Sequence, residues 1–309
     1  RKIRSLSYKI ISNYCSLVKA SISHVMKKYL FSLLGILLTF IASSQPKPAY
    51  VLYTASGKKA DYGKMVEMLS RQDIVLIGEF HNNPISHWME LEITKDCQQK
   101  RDLVLGAEMF EQDNQQALYQ YLAGQLTAKG LDTAARLWKN YTTDYSPLVN
   151  FAKDQKLSFV ATNVPRKYAS MVSKAGFEAL NNLTDQEKSW LAPLPILYDP
   201  ELPGYKNMMT MMAGHATANM PKAQALKDAT MGYFILKNWS PGKLFIHYNG
   251  SYHSDNHDGI VWYLKQANPK LKIATVTTVS QKELKYLLAE HKNKADFIIC
   301  VDEDMTTTY

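Results

Sequence analysis

Two four-residue motifs carry the side chains best suited to chemistry: GEFH at 78–81 and GSYH at 250–253. Their histidines, His81 and His253, titrate near neutral pH and are able to ligate metals or transfer protons. Glu79 lies within the first motif, and Glu108 follows another apolar run. If the chain brings the two motifs together, the pair predicts one site with two imidazoles and two carboxylates. The alternative for each histidine is a structural role in capping the turn that follows it.

These motifs end short apolar runs that resemble buried strands. The runs at 73–79, 103–110, 157–163, 243–250 and 272–279 are rich in Val, Ile and Leu. In parallel sheets, ligands bind at the carboxyl ends of the strands. The polar residues expected at that edge are Glu79, His81, Glu108, Asn163, Arg166, Asn249, Ser251, Tyr252 and His253. Gly78 and Gly250 are expected to let the backbone bend as it leaves each strand.

The alternation of these runs with helical patterns predicts the fold class. Helices are expected at 84–99, 112–123, 132–139, 145–155 and 165–174. Such alternation is typical of an α/β fold with a largely parallel central sheet and helices on both faces. Residues 194–240 break the rhythm with a Met-rich helical segment, interpreted as a cap inserted over the sheet. Asp258 is predicted to be the N-cap of the helix that follows it.

The N-terminal region is interpreted as a targeting segment. Residues 26–44 combine two lysines, a short apolar run and small residues, which predicts a signal peptide cut near Ser44. Residues 1–25 are interpreted as an upstream extension. Residues 45–309 are predicted to form a single domain with its core at about 70–280. An uncleaved anchor helix is the alternative. The net charge of +8 lies almost entirely in the first 44 residues, so the sequence gives no support for nucleic-acid binding.

Two cysteines follow the predicted cleavage site, Cys97 and Cys300. In an oxidising compartment they could form a disulfide, or each could be a separate buried thiol. The spacing of the two residues does not decide between these alternatives.

Five segments, in this order, resemble the ChaN-like haem-binding uptake family, which shares a superfamily with Tiki-type proteases and erythromycin esterases. They are VLIGEFHNNPISHWMELEI, EMFEQDNQQALYQYLAG, LWKNYTTDYSPLVNFAKDQKLSFVATNVPR, AQALKDATMGYFI and YNGSYHSDNHDGI. The resemblance implies an α/β fold with a helical cap and an exported protein of the bacterial envelope that binds haem for iron acquisition. It further implies a homodimer enclosing paired haems, with a tyrosine on the iron and a histidine and a lysine on the propionates. His81, His253, Glu79 and Glu108 fall on its shared motif positions.

The iron ligand is not fixed by these motifs. A phenolate suits ferric haem, and three tyrosines are candidates: Tyr145, Tyr205 and Tyr252. His215 in the cap is a candidate partner for a haem propionate or a second ligand, and Arg166 is a further cofactor-binding candidate. The methionines Met208, Met209, Met211 and Met212 suit either the wall of a flat ligand or ordinary packing.

Two other functions remain open at this stage. His81, His253 and one of Glu79 or Glu108 could hold zinc or manganese in a hydrolase, with the other carboxylate as base, or His81 could act as a metal-free general base. Alternatively, the polar cluster could be a hydrogen-bond network in an envelope protein without a small ligand. A periplasmic or outer-membrane location and an outer-membrane haem receptor as partner complete the expectation for a haem carrier.

Overall fold

A seven-stranded sheet organises the chain in the computed structural model, which describes residues 23, 26–29, 47–211 and 218–309. The strands are β1 (Tyr50–Thr54), β2 (Ile74–Glu79), β3 (Leu103–Glu111), β4 (Ser158–Asn163), β5 (Leu244–Gly250), β6 (Ile273–Gln281) and β7 (Phe297–Asp302). Their spatial order is β1-β7-β6-β2-β5-β3-β4, and every pairing is parallel except that of β1 with β7. The five predicted strands are confirmed, and the sequence missed β1 and β7 at one edge.

Ten α-helices surround the sheet in the described part of the chain. They are α1 (Tyr62–Leu69), α2 (Pro84–Gln98), α3 (Gln115–Leu122), α4 (Ala128–Ala134), α5 (Ser146–Asp154), α6 (Arg166–Ala175), α7 (Asp185–Lys188), α8 (Pro203–Met211), α9 (Met220–Asn238) and α10 (Ile260–Ala267). Four of the predicted helices correspond to elements within a few residues, α2, α3, α5 and α6. Local chemistry sets some of the boundaries, as at α2, where the Asn83 side chain accepts from the amides of Ile85 and Ser86.

The helix predicted at 132–139 is wrong. The Thr127 hydroxyl accepts from the Gly130 amide and starts α4 earlier, and the backbone is extended by Ala135. The residues that follow bind other parts of the chain, because the Arg136 amide donates to Asn114 and the Asn140 side chain donates to the carbonyl of His81. Tertiary contacts therefore override helical propensity here, and they bring this segment to the carboxyl edge of the sheet.

Apolar layers cover both faces of the sheet. On one face, Val75, Ile77 and Leu105 belong to a buried cluster that also contains Met89 and Ile93 of α2. On the other face, Ile74, Leu76, Val104 and Phe245 pack in a cluster with Met231, Phe234 and Ile235 of α9. Burying such a side chain is worth roughly 1.5–3 kcal/mol. The predicted α/β class, a largely parallel sheet between helical layers, is confirmed.

The Met-rich region at 194–240 contains two helices, α8 and α9, as predicted in part, whereas residues 194–202 are an irregular connector. The two helices have different positions. Helix α9 is part of the layer on the sheet, since Met231, Phe234 and Ile235 are buried against strand residues. Helix α8 is more peripheral, with Met208 partly buried and Met209 exposed. Met212 and His215 lie outside the described residues, so the role predicted for His215 stays a prediction.

The cysteines are separate buried thiols. Cys97 packs in the cluster that contains α2, and Cys300 packs in another cluster with Tyr53 and Val279. Burial raises the pKa of each thiol to about 12, so neither is a reactive thiolate at neutral pH. The sequence left open a disulfide or two separate thiols, and the structure shows two separate thiols.

The pattern of contacts between residues divides the chain into two compact units, Arg1–Pro48 and Ala49–Tyr309. The second unit contains the sheet and every site described below. Most of the predicted signal peptide at 26–44 lies outside the described residues. Among the residues that are described, no helix combines the length and the apolar character needed to cross a bilayer.

Candidate functional site at the carboxyl edge of the sheet

The strand order brings the two GxxH motifs side by side. Strand β5 lies between β2 and β3, with Glu79 paired to Gly250 in register. A Cβ on Gly78 would lie 2.9 Å from the Cα of Ser251, and a Cβ on Gly250 would lie 2.8 Å from Cε1 of His81. Each glycine therefore makes room for the other motif. The predicted reason, a sharp backbone bend, is wrong: Gly250 has φ −54° and ψ 137°, a conformation open to other residues.

His253 lies between two buried carboxylates. Its Nε2 is 3.1 Å from Oε1 of Glu108, and its Nδ1 is 2.5 Å from Oδ1 of Asp228. The remaining carboxylate oxygens also have donors, since the Gly250 amide donates to Glu108 and the Tyr205 hydroxyl donates to Asp228. The result is a closed chain of hydrogen bonds that uses both ring nitrogens.

The charges of this chain follow from its burial. Burial by itself would lower the pKa of His253, but Glu108 and Asp228 raise it to about 9. Burial would raise the pKa of Glu108, but the imidazolium of His253 lowers it well below its usual range. His253 is therefore an imidazolium at neutral pH, held by two hydrogen bonds.

His81 has a different environment, because only one of its nitrogens is held by a carboxylate. Its Nδ1 is 2.6 Å from Oε1 of Glu79, and the Tyr145 hydroxyl donates to the same oxygen at 2.7 Å. The imidazole edge meets the ring of Trp138, with centroids 4.8 Å apart. Burial would lower the pKa of His81, but Glu79 and Glu108 raise it. The side chain of His81 is 36% exposed, so its ring remains accessible from the crevice.

Two adjoining cavities form the crevice. One, of about 550 Å³, is lined by both motif histidines together with Gln224 and Tyr252. The other, of about 800 Å³, extends from His81 toward Trp138 and Val164. The cavities share His81, Glu108, Lys227 and Tyr309. The predicted convergence of the strand ends is therefore observed, and the rings of His81 and His253 reach the same cavity.

The larger cavity combines an apolar wall with a basic rim. Leu137, Trp138 and Val164 supply the wall. The basic side chains on its lining are Arg136, Lys139, Arg166 and Lys227. Arg136 is already paired with Glu111 and Asp113. Within the described residues the other three have no salt bridge, so they are available to an anionic ligand.

Only one of the three candidate tyrosines lines the crevice. Tyr145 is 2% exposed and bound to Glu79, while Tyr205 is 3% exposed and bound to Asp228. Burial and the neighbouring carboxylate raise the pKa of both phenols far above the usual value, so neither ionises readily. Neither lines either of the two cavities, so the structure gives no support to the prediction that one of them faces a ligand. Tyr252 lines the smaller cavity, is 36% exposed and donates to the carbonyl of Gly204.

Other strand-end residues have mixed outcomes. Arg166 and Asn163 line the larger cavity, and Ser251 lines the smaller one. Asn249 is fully buried and donates to Gly250 and Ser254, which makes it structural. Asp258 does not cap α10, whose N-cap is Gly259; its carboxylate accepts from the Gly204 amide instead.

The four predicted metal ligands do not surround one point. His253 uses both nitrogens on Glu108 and Asp228, and Glu79 uses one oxygen on His81 and Tyr145. Among the described residues, the group of three side chains whose ligand atoms lie close enough for a metal is a different one: Glu79, His87 and Glu90. The metal set His81, His253, Glu79 and Glu108 is therefore not supported by the geometry.

Sequence reasoning missed several residues of the site. Asp228 and Lys227 come from α9, and Trp138 and Asn140 from the segment after α4. A signal existed for Asp228, because this acid directly precedes the largely apolar stretch "ATMGYFI" of the same predicted helix. An acid buried beside such a stretch requires a partner. Trp138 gave no such signal, because its position depends on a segment predicted as helix.

The fold and crevice define an α/β protein with a ligand site at the carboxyl edge of its sheet. Residues 65–264 match the family described as haem-binding uptake, Tiki superfamily, ChaN. Because that match covers more than half of the chain, the protein belongs to this family. The resemblance noted in the sequence is confirmed.

Among solved structures, the chain is similar to ChaN of Campylobacter jejuni, described with cofacial heme binding. The two share 18% identity and a TM-score of 0.62, over 82% of this chain and 98% of that one. At this identity the likeness shows the fold alone. An erythromycin esterase mutant in its open conformation matches at 9% identity and a TM-score of 0.46, over 81% of this chain and 97% of its own, and carries no argument.

A curated relative is the protein RETICULATA-RELATED 5, chloroplastic, of Arabidopsis thaliana. It is 24% identical over 206 residues, which are 59% of this chain. The chain spans 27% of that relative's length.

Proposed function

We propose that the protein binds haem in the crevice between the two GxxH motifs. The observation that carries the proposal is the larger cavity, where an apolar wall of Leu137, Trp138 and Val164 adjoins unpaired basic side chains. Haem has the matching chemistry, a flat apolar ring with two carboxylate arms. A cavity of about 800 Å³ lies within the range of small-molecule sites. The family description supports the same ligand.

The basic rim suits the propionates. Arg166 and Lys227 lie on the lining of the larger cavity, and Lys227 also borders the smaller one. Arginine and lysine pair with carboxylates through charge-assisted hydrogen bonds. His81, whose pKa is raised by Glu79 and Glu108, lies at the junction of the two cavities as a further polar group for a propionate.

Tyr252 is the tyrosine proposed as the iron ligand. Tyr145 and Tyr205 each hold a buried carboxylate, whereas Tyr252 lies on the lining of the smaller cavity, which adjoins the larger one, and bonds only a backbone carbonyl. Its release would therefore leave no buried charge without a partner. A tyrosine ligand stabilises ferric haem.

A haemin titration followed by its Soret band tests this assignment. The unmodified protein should saturate at a fixed stoichiometry with a shifted band. Y252F should shift the band position and weaken binding at least tenfold, and R166A with K227A should weaken binding without moving the band. Y119F is the matched control, since Tyr119 is 60% exposed and lies away from the crevice. Non-saturating uptake, or equal loss in Y119F, would contradict the proposal.

The biological setting is proposed with the same ligand. The signal-peptide pattern supports export to the periplasm or outer membrane, where a haem carrier would serve iron acquisition together with an outer-membrane receptor. The proposal extends to a homodimer that encloses two haems, as the family resemblance implies; the similar structure from Campylobacter jejuni is described with cofacial heme binding. Haem-dependent dimerisation in analytical ultracentrifugation is the expected result, and a monomer at saturating haem would contradict it.

Hydrolysis is the second candidate. The observation in its favour is the Glu79–His81 pair, in which a buried carboxylate 2.6 Å away orients an accessible imidazole. Such a pair is suited to general base catalysis. The two functions separate in H81A, which should abolish ester or peptide hydrolysis and leave the Soret band of the Tyr252-ligated haem in place.

A further inference from the structure

A second cluster of ionisable groups lies behind the crevice. It comprises Glu79 at the end of β2 and two residues one turn apart on α2, His87 and Glu90. Their side chains are almost completely buried, at 0%, 4% and 1% exposed. One ligand atom from each can be chosen so that all lie within 4.8 Å of one another.

Two carboxylate oxygens in this cluster lack hydrogen-bond partners. Oε2 of Glu79 and Oε1 of Glu90 are both buried and unpartnered. Oε2 of Glu79 nevertheless faces His87, since it lies 3.3 Å from Nδ1. A buried carboxylate oxygen without a donor is costly, so both oxygens are available to a cation.

The surrounding hydrogen bonds leave one face of each group pointing at the space between the three side chains. The Tyr145 hydroxyl and His81 occupy Oε1 of Glu79, which leaves Oε2 for the cluster. His87 has its Nε2 3.2 Å from the carbonyl oxygen of His81, which fixes the proton on that nitrogen. Metal-binding histidines are usually oriented in this way, with the other ring N–H on a backbone carbonyl. Nδ1 of His87 faces the two carboxylates, with Oε2 of Glu90 as its hydrogen-bond partner at 3.3 Å, so a bound cation would take the place of the proton on this nitrogen.

We propose that Glu79, His87 and Glu90 bind a first-row divalent cation, with Zn²⁺ as the best-matched probe. Nδ1 of His87 lies 3.3 Å from Oε2 of Glu79 and 3.3 Å from Oε2 of Glu90. Ligands about 2.0–2.2 Å from a tetrahedral zinc ion stand about this far apart. A cation of charge +2 also neutralises the two buried carboxylates. This site shares Glu79 with the crevice but does not depend on haem binding.

The cation would also affect the crevice through Glu79. One oxygen of Glu79 faces the cluster and the other holds His81 at 2.6 Å. A bound metal therefore fixes the carboxylate that orients His81. His81 keeps its accessible position on the crevice in this arrangement.

Zinc binding to the chelator-stripped full chain tests the proposal. A chromophoric zinc chelator in competition gives the affinity, and elemental analysis gives the stoichiometry. We expect one equivalent per chain, at least tenfold weaker binding in E90Q and H87Q, and a zinc-dependent rise in melting temperature that E90Q lacks. Co²⁺ in place of Zn²⁺ should show the visible bands of a tetrahedral site.

Matched controls lie nearby. E92Q changes a partly exposed glutamate on the same helix, and H257Q changes an exposed histidine that bonds Asp296. Both should bind zinc like the unmodified protein. If H87Q does not fold, zinc binding by E90Q decides the test, because glutamine preserves the shape of the glutamate side chain. The proposal is overturned if the chain takes up no stoichiometric zinc, if E90Q binds normally, or if E108Q loses zinc instead.

Discussion

His253 and His87 are both buried imidazoles between two carboxylates, yet their surroundings differ. Around His253, Glu108 accepts from the Gly250 amide and Asp228 accepts from Tyr205, so both of the carboxylates are stabilised by further donors. Around His87, one oxygen of Glu79 and one of Glu90 have no donor. Similar residues can therefore form a closed hydrogen-bond network or leave carboxylate oxygens without donors. The positions of the outer donors decide which one forms.

The largest effect is expected for H253A. Removing the imidazolium leaves Glu108 and Asp228 buried without their shared counter-ion, which should lower the free energy of unfolding by about 3–5 kcal/mol. Urea denaturation at pH 7 measures the change. H257A is the control, because His257 is 43% exposed and its pairing with Asp296 should be worth less than about 1 kcal/mol. A similarly small loss in H253A would contradict a charged network.

The pH dependence of stability sharpens the comparison. The pKa of His253 is raised from 6.5 to about 9, so its contribution is complete below pH 6.5 and is lost as the pH rises through 9. The loss should be on the order of 1–3 kcal/mol. Chemical denaturation between pH 6 and 10 should show this decline, and H253Q should show less of it. Parallel curves for the two proteins would refute the raised pKa.

A smaller loss is expected for Y205F. The hydroxyl of Tyr205 donates to Oδ2 of Asp228 at 2.9 Å, and its removal should cost about 1 kcal/mol. Y252F, which loses a bond to a backbone carbonyl at the surface, should cost less. Thermal unfolding of both variants without haem provides the measurement. Equal stabilities would mean that Asp228 does not need its outer donor.

The smallest effect is expected for E90Q in metal-free protein. Burial and the neighbouring Glu79 raise the pKa of Glu90 well above its usual range, which disfavours the ionised form, and glutamine has the shape of the neutral side chain. The free energy of unfolding should change by less than about 1 kcal/mol. A loss above about 2 kcal/mol, measured by urea denaturation after chelation, would show that the ionised carboxylate itself stabilises the fold.

Much of the fold could be predicted because hydrophobic patterns are local. The runs that form β2, β3, β4, β5 and β6 are continuous stretches of Val, Ile and Leu, as expected for strands buried on both faces. Strands β1 and β7 were not predicted: β1 lies at the edge of the sheet, and β7, although as long as β2 and β4, follows the last of the predicted strands. The segment after α4 was predicted wrongly because Asn140 and Arg136 bind distant partners, which local propensity does not include.

The candidate site was only partly predictable, for a related reason. Predicted strands end at or close to Glu79, His81, Glu108 and His253. The convergence of these residues therefore required only that the strands be neighbours. Tyr145 and Tyr205 were candidates for the iron ligand, but in the structure each donates a hydrogen bond to a buried carboxylate. Nothing in the sequence near either tyrosine distinguishes a phenol that faces a cavity from one that faces a carboxylate.

The sequence by itself determined the class of fold, the family and the strand ends that supply the chemistry, because each depends on residues close together in the chain. Only the tertiary structure decided which nitrogen or oxygen of each group is free. That choice depends on partners that the fold brings together, such as the Gly250 amide that donates to Glu108 and the His81 carbonyl that accepts from His87. Ligand binding requires free lone pairs and open space, and both are properties of the packed chain.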